Sequence, residues 1–463
     1  MTFLPERITQ KGETIMKKQT QMLAVLSATA FIAMLPSFIG QPQMAYAAEC
    51  GWTEEGDAMV FYDEDGELLT DTWRKEGNDW IYLNEDGHIS KNQKIDEFYV
   101  DADGKMVRNA WVELANEEDP DSPETPASFW YYFDENGKSI TSNWLKQNDK
   151  WYYFDESGHM LTGKVNIDGS WYYLGEENDG TMKTGWIQLK ENASTPDTEE
   201  GWYYFTKTGK MIETQYDRKI DGNYYTFIDG KMQTGWVEMP KTDVVASDSN
   251  AGSDVLTVAD FQYYGAEGDG KRAGGWYTIE GIEGIHDMDE TFTFYFRGGK
   301  ALHSEKTGNQ LFTVNGKKYA FNELGEMQTG QQIVNLSDGE IANFYFGEDG
   351  VMKTGKQSIY NDETGEHDTW FFYTEGDRRG QGFHGVRDNT LYVYGKRQDA
   401  TSDQKYAPAV LGETTYLVNT SGSVQKASTS STSAVKPELG RGFKDYKDNN
   451  GKTWTVDVNG IVQ

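Results

Sequence analysis

The sequence predicts an all-β protein built as a β-solenoid of stacked hairpins. Three observations carry this. Aromatic residues make up 14% of the 463-residue chain, with 50 glycines and only 10 prolines. Runs such as WYYF are each followed by turn-forming Asp, Asn and Gly. The combination recurs with a period of about twenty residues: the turn glycines Gly66 and Gly87 are 21 apart, and Gly137, Gly158 and Gly180 follow at steps of 21 and 22. Such self-similarity marks a repeat architecture.

Each part of the repeat has a physical role. Trp-Tyr-Tyr-Phe favours a strand. The D-E-N-G or E-S-G that follows accepts the positive φ of a tight turn, so a hairpin is expected there. A short return segment, G-x-M-x-T-G, closes the unit at Gly158–Gly163, Gly180–Gly185, Gly230–Gly235, Gly325–Gly330 and Gly350–Gly355. A lone two-stranded hairpin is marginal in water, so the units must stack. Side chains alternate along a strand. One set, with Met160, Met182, Met232, Met327 and Met352, is expected to fill an axial core, leaving the other near the surface between units.

The N-terminal residues 1–47 have the order of a secretory signal: Lys17 and Lys18, an apolar stretch from Met22 to Ile39, then Ala45 and Ala47 as an A-x-A cleavage site. Translation is expected to start at Met16. Pro36 and the A-x-A site favour cleavage over retention as an anchor, and Glu49 disfavours lipid attachment at Cys50. Well-formed repeats are expected over 48–236 and degenerate repeats with inserts over 237–425. A Ser/Thr-rich linker is expected at 426–440 and a terminal repeat at 441–463. The inserts, such as 113–128 and 188–200, read as surface loops.

Composition excludes several functions. The formal net charge of −32 disfavours nucleic-acid binding, which needs a basic surface. The single Cys50 excludes a disulfide framework. The six histidines form no H-E-x-x-H pattern or short pair; His88 and His159 occupy the same place in two repeats. Asp63-x-Asp65-Gly66 and Asp101-x-Asp103-Gly104 resemble the start of a calcium loop but lack its remaining ligands. Almost no length lies outside the repeats, whereas a catalytic domain usually needs about 100 residues or more. No enzyme, metal or cofactor is expected.

The pattern GW-x(n)-WYYF-x-x-x-G-x-M-x-T-GW resembles the choline-binding or cell-wall-binding repeats of Gram-positive surface proteins, and is similar to glucan-binding and clostridial toxin receptor-binding repeats. The resemblance spans about Gly51 to Gln463 and is densest before residue 237. It implies a superhelix of hairpins with aromatic cages at the joints. A quaternary ammonium cannot hydrogen-bond, but each aromatic face attracts it by roughly 0.5–2 kcal/mol. By this resemblance the fullest cage is Trp144, Trp151 and Trp171/Tyr172. Trp73, Trp80 and Tyr99 form a second; Trp111 and Trp130 with Trp151/Tyr152 a third; Trp186 and Trp202 with Tyr224 or Tyr225 a fourth. Lys164, in the place of a GW tryptophan, would repel a cation. The resemblance implies an exported, wall-associated binding protein whose partner is choline on teichoic acid. A polysaccharide ligand, and an inert or adhesive spacer contacting a host or surface partner through its inserts, are the alternatives.

Overall fold

The computed structural model describes residues 50–116, 126–192, 195–241 and 255–463. The expected signal segment 1–47, most of the insert expected at 113–128 and most of a further insert expected at 238–259 lie outside these residues. Among the described residues the chain is strand and turn, with two single-turn 3-10 helices at Val258–Asp260 and Pro437–Leu439. No helix there is long and apolar enough to cross a membrane. The chain forms two compact units, one within residues up to 95 plus 99–106, the other within 96–98 plus 107–463.

In the first unit the strands Gly51–Glu55 and Ala58–Tyr62 form one hairpin, and Thr72–Glu76 and Asp79–Leu83 form the next. The turns that follow the aromatic strands Ala58–Tyr62 and Phe98–Val100 use the side chain that opens each one. Asp63 Oδ1 accepts the N–H groups of Asp65 (2.9 Å) and Glu67 (2.8 Å), and Asp101 Oδ1 does the same for Asp103 and Lys105. These D-x-D-G segments are therefore Asx turns, their leading carboxylates already bonded to backbone.

The second unit repeats the plan. Asn143–Gln147 pairs with Lys150–Phe154, Gly185–Leu189 with Gly201–Phe205, Gly275–Glu280 with Thr291–Arg297, and Gly355–Asn361 with Glu366–Phe372. The hairpin is not the one expected. Its strands are the GW segment and the WYYF run, joined across Asn148 (φ 50°) and Asp149 (φ 61°), the two positive angles of a type I′ turn. The D-E-S-G turn leads instead to a return segment that makes one bridge, Phe154↔Met160. The return segment leaves because it also ties successive hairpins together. The Met160 N–H donates to the Trp130 carbonyl, Met182 to Trp151 and Met211 to Trp171, each at 2.8 Å.

The phenylalanine closing each aromatic run is sealed: Phe133, Phe154, Phe205, Phe321 and Phe372 are all 0% exposed. Each return-segment methionine lies against the turn glycine of the next unit, so that a Cβ at Gly180 would overlap the Met160 sulfur, and one at Gly209, Gly270, Gly350 or Gly380 the sulfur of Met182, Met232, Met327 or Met352. The axial core is thus a chain of phenylalanines and methionines running from repeat to repeat. Some hairpins also fuse: Gly201–Phe205 pairs with Lys231–Met232 in a five-stranded sheet, and Asn309–Val314 pairs in parallel with Gly330–Asn335 in a four-stranded one.

Residues 426–440, expected to be a linker, are a folded connector. Ser433 is 4% exposed and donates to Asp445 Oδ1 (2.5 Å), while the Ala434 and Val435 N–H groups bond its other oxygen. A hydroxyl-rich segment folds here because one carboxylate satisfies three of its polar groups. The Asp445 carboxyl is held below its ordinary range: burial opposes ionisation, and the bonds from Ser433, Thr455 and the backbone outweigh it.

Candidate aromatic seams

The GW tryptophan of each hairpin faces a fixed set of rings. Hairpin register places Trp144 opposite Tyr153, Trp111 opposite Tyr132, Trp186 opposite Tyr204 and Trp276 opposite Tyr295. The next hairpin supplies a second tyrosine. Trp144 lies 5.1 Å from both Tyr153 and Tyr172, edge to face. Trp111 lies 5.2 Å from Tyr132 and 4.9 Å from Tyr152, Trp186 lies 5.1 Å from Tyr204 and 4.8 Å from Tyr225, and Trp276 lies 4.9 Å from Tyr295 and 4.8 Å from Tyr319. These are favourable ring geometries. A phenylalanine from the next hairpin backs three of the four: Phe154, Phe227 and Phe321.

The seam at Trp144 has a further wall. Trp151 lies 6.4 Å from Trp144 at 86° and is 40% exposed, so the angle between the two indoles opens to solvent. Trp276 is 38% exposed. Elsewhere the indole edge is anchored: the Trp111 N–H donates to Gln147 Oε1 at 2.6 Å.

The structure brings Trp144, Trp151 and Tyr172 together, and Trp111 with Tyr152. It does not bring Trp171 to Trp144, because adjacent residues of a strand face opposite ways. Trp171 packs instead on Tyr173, Leu189, Tyr203, Phe205 and Met211. Trp130 directs its indole N–H to Asn178 Oδ1 (3.3 Å), and Trp202 packs with Trp186 on the Ile212–Phe227 cluster. Of the two tyrosines considered at Trp186, Tyr225 is the one in the seam; Tyr224 lies under the Arg272 guanidinium, 4.0 Å from its ring centre. In the first unit Trp73 meets Tyr82 at 5.2 Å, and the Trp80 carbonyl accepts the Met106 N–H. The Tyr99 phenol is raised above its ordinary pKa by burial and then by Asp101.

Two sets of ring partners escaped the sequence reading. The cross-strand tyrosines Tyr132, Tyr153 and Tyr204 were hidden because the turn was placed after the aromatic run rather than before it. The Trp276 seam was hidden by the insert that stretches the spacing, although its Gly275-Trp276 step was visible.

Burial holds the phenols of Tyr172, Tyr173 and Tyr203 above the usual 10.0; for Tyr173 a 2.6 Å bond to Glu176 adds to this. The fold thus favours the neutral phenol. That contribution is complete below pH 10 and is lost as pH rises through the folded-state values. An alkaline titration should show tyrosinate absorbance lagging behind free tyrosine and loss of the β-sheet dichroism accompanying it. Unfolding equally advanced at pH 9 would contradict this. Among the described residues no cluster of three His, Cys, Asp or Glu could hold a metal.

Parts of the chain match known proteins. A sequence profile described as a choline-binding repeat matches residues 140–186, and one described as a cell wall binding repeat matches 71–89 and 130–139. No curated protein sequence matches the chain. Among solved structures, the chain is similar to the modular autolysin LytC from Streptococcus pneumoniae in complex with a synthetic peptidoglycan ligand, with 22% identity, 60% of this chain covered and TM-score 0.36. It spans 52% of the length of that protein. It is also similar to CbpJ from S. pneumoniae (21% identity, covering 65% of this chain and 99% of that one, TM-score 0.39). The choline-binding domain of CbpL from the same organism is 24% identical, over 40% of this chain and 97% of that one, with TM-score 0.25. The profile matches fall on the hairpins of Trp73 and Trp144 and on the second strand of the Trp111 hairpin, and these segments carry repeats of the choline-binding, cell-wall-binding family.

Proposed function

We propose that this is an exported, non-catalytic protein that attaches to the bacterial cell wall by enclosing the choline of teichoic acids between successive hairpins. The observation that carries this is the Trp144 seam. Trp144, Trp151 and Tyr172 present three ring systems around one opening, and Trp151 remains 40% exposed to receive a ligand. A trimethylammonium group gains from the negative ring faces and loses little, since it has no hydrogen bonds to give up. The net charge of −32 concentrates cations near the surface. The signal-like segment 1–47 supports export, and the repeats extending through most of the chain support a binding rather than a catalytic role.

Binding to choline-bearing walls followed by washing tests this. Millimolar choline should release the protein, while the same concentration of glucose or a wall-derived glycan should not. Release by glycan alone would favour stacking of sugars on the same rings. Protein that never binds the wall would leave the inserts, not the seams, as the functional surface.

A further inference from the structure

One seam holds a cation already. In the hairpin Lys164–Ile167 with Ser170–Tyr173, Lys164 pairs with Tyr173 as Trp144 pairs with Tyr153 and Trp186 with Tyr204. It therefore stands in the tryptophan's place. Its ammonium does not turn away to solvent. It lies 5.2 Å from the centre of the Trp171 ring and 5.7 Å from that of Tyr203, both within cation–π range. Trp171 and Tyr203 hold the positions, in their own hairpins, that Trp151 and Tyr172 hold at the Trp144 seam. The Lys164 side chain thus enters the space that a ligand ammonium would share with those two rings.

Around it is a cleft of about 600 Å³ with Asp197, Glu199 and Glu213 on its walls. Among the described residues Lys164 makes no ion pair: Glu199 is taken by Lys231 at 3.1 Å, and the Lys164 ammonium contacts the Thr198 hydroxyl at 3.4 Å. Burial lowers the Lys164 pKa below its ordinary value. A lysine that forgoes exposed carboxylates for two aromatic faces is held by the rings. Elsewhere a cation from another hairpin lies over the cross-strand ring, where that ring is phenylalanine. Arg74 lies 3.3 Å over Phe61, the partner of Trp52, and Arg387 lies 4.5 Å over Phe371, the partner of Lys356.

We propose that the seam formed by Lys164, Trp171 and Tyr203 is a latent ammonium site which the chain fills with its own lysine, so that Lys164 acts as a tethered competitor of external quaternary ammonium. This rests on the reading of the open seams as ammonium sites. Its consequence is that the chain binds fewer ligands than it has repeats, and that the occupied seams are set by which hairpins carry a cation. Removing the ammonium vacates space beside two rings and an acidic wall, which is what a trimethylammonium group needs.

The test is to titrate the full chain with choline chloride, and separately with tetramethylammonium chloride, by calorimetry. Lys164→Ala should raise the saturating stoichiometry by one relative to wild type. Lys164→Met, which keeps the alkyl stem and guards against loss of folding, should do the same. Lys164→Arg should leave the stoichiometry unchanged, and Trp171→Ala added to Lys164→Met should remove the gained site. If Trp144→Ala lowers the wild-type count while neither neutral variant gains a site, the latent site is wrong and the open-seam reading stands. If wild type binds no choline but the neutral variants bind one, the latent site stands and the open-seam reading falls. Absence of binding in every variant overturns both.

Discussion

Gly180→Ala should lower the stability of the protein by about 2–5 kcal/mol, from a left-handed backbone cost of roughly 1–2 kcal/mol and an overpacking cost of roughly 1–3 kcal/mol. Gly180 has φ 62°, and a methyl group there meets the Met160 sulfur of the preceding repeat. The two costs can be separated. Adding Met160→Ala removes the overlap and leaves the backbone strain, so the double variant should lose less than the sum of the single losses. Residues in direct contact are where such non-additivity is found. Urea midpoints of the four proteins measure it. Strict additivity would mean that the methionine moves aside freely and that the contact does not tie one repeat to the next. The same pairing at Gly209, Gly350 and Gly380 makes the effect general along the second unit.

Replacing Trp111, Trp144, Trp186 and Trp276 together by leucine should abolish choline-dependent retention on the wall. These four seams each carry a tryptophan between two tyrosines, and a leucine keeps apolar bulk while removing the indole face. Single replacements should each remove one choline equivalent in calorimetry. Retention should fall far more steeply, because linked sites on a polymeric wall gain roughly 10²–10⁴ in avidity over one site. At least a hundredfold loss is therefore expected for the fourfold variant on that scale. Circular dichroism identical to wild type would show that the hairpins survive. Undiminished retention by a folded fourfold variant would remove the seams from the attachment mechanism.

Trp276 shows why part of the site lay beyond the sequence. Its Gly275-Trp276 step is plain in the text, yet its partners Tyr295 and Tyr319 sit in runs reading TFTFYF and KKYAF, far from the WYYF pattern. Which ring meets which tryptophan depends on hairpin register, and register is set by the turn across Asn148 and Asp149 rather than by the more conspicuous D-E-S-G. A shift of one residue exchanges the faces of a strand. That is why Tyr172 reaches Trp144 and its neighbour Trp171 does not. Lys164 was legible as a substitution at a tryptophan position, and its charge suggested repulsion of a ligand. The structure adds that the ammonium lies inside the seam.

By itself the sequence determined the repeat, its length, its all-β character and the aromatic content of its joints. These follow from local chemistry: strand-forming rings, turn-forming Asp, Asn and Gly, and a period of about twenty residues that fits one hairpin with its return segment. Only the tertiary structure decided which rings share a seam, which seams stand open and which are closed by a lysine or arginine of the chain. Those are contacts between residues of different hairpins, fixed by how one hairpin seats on the last, and no single repeat contains that information.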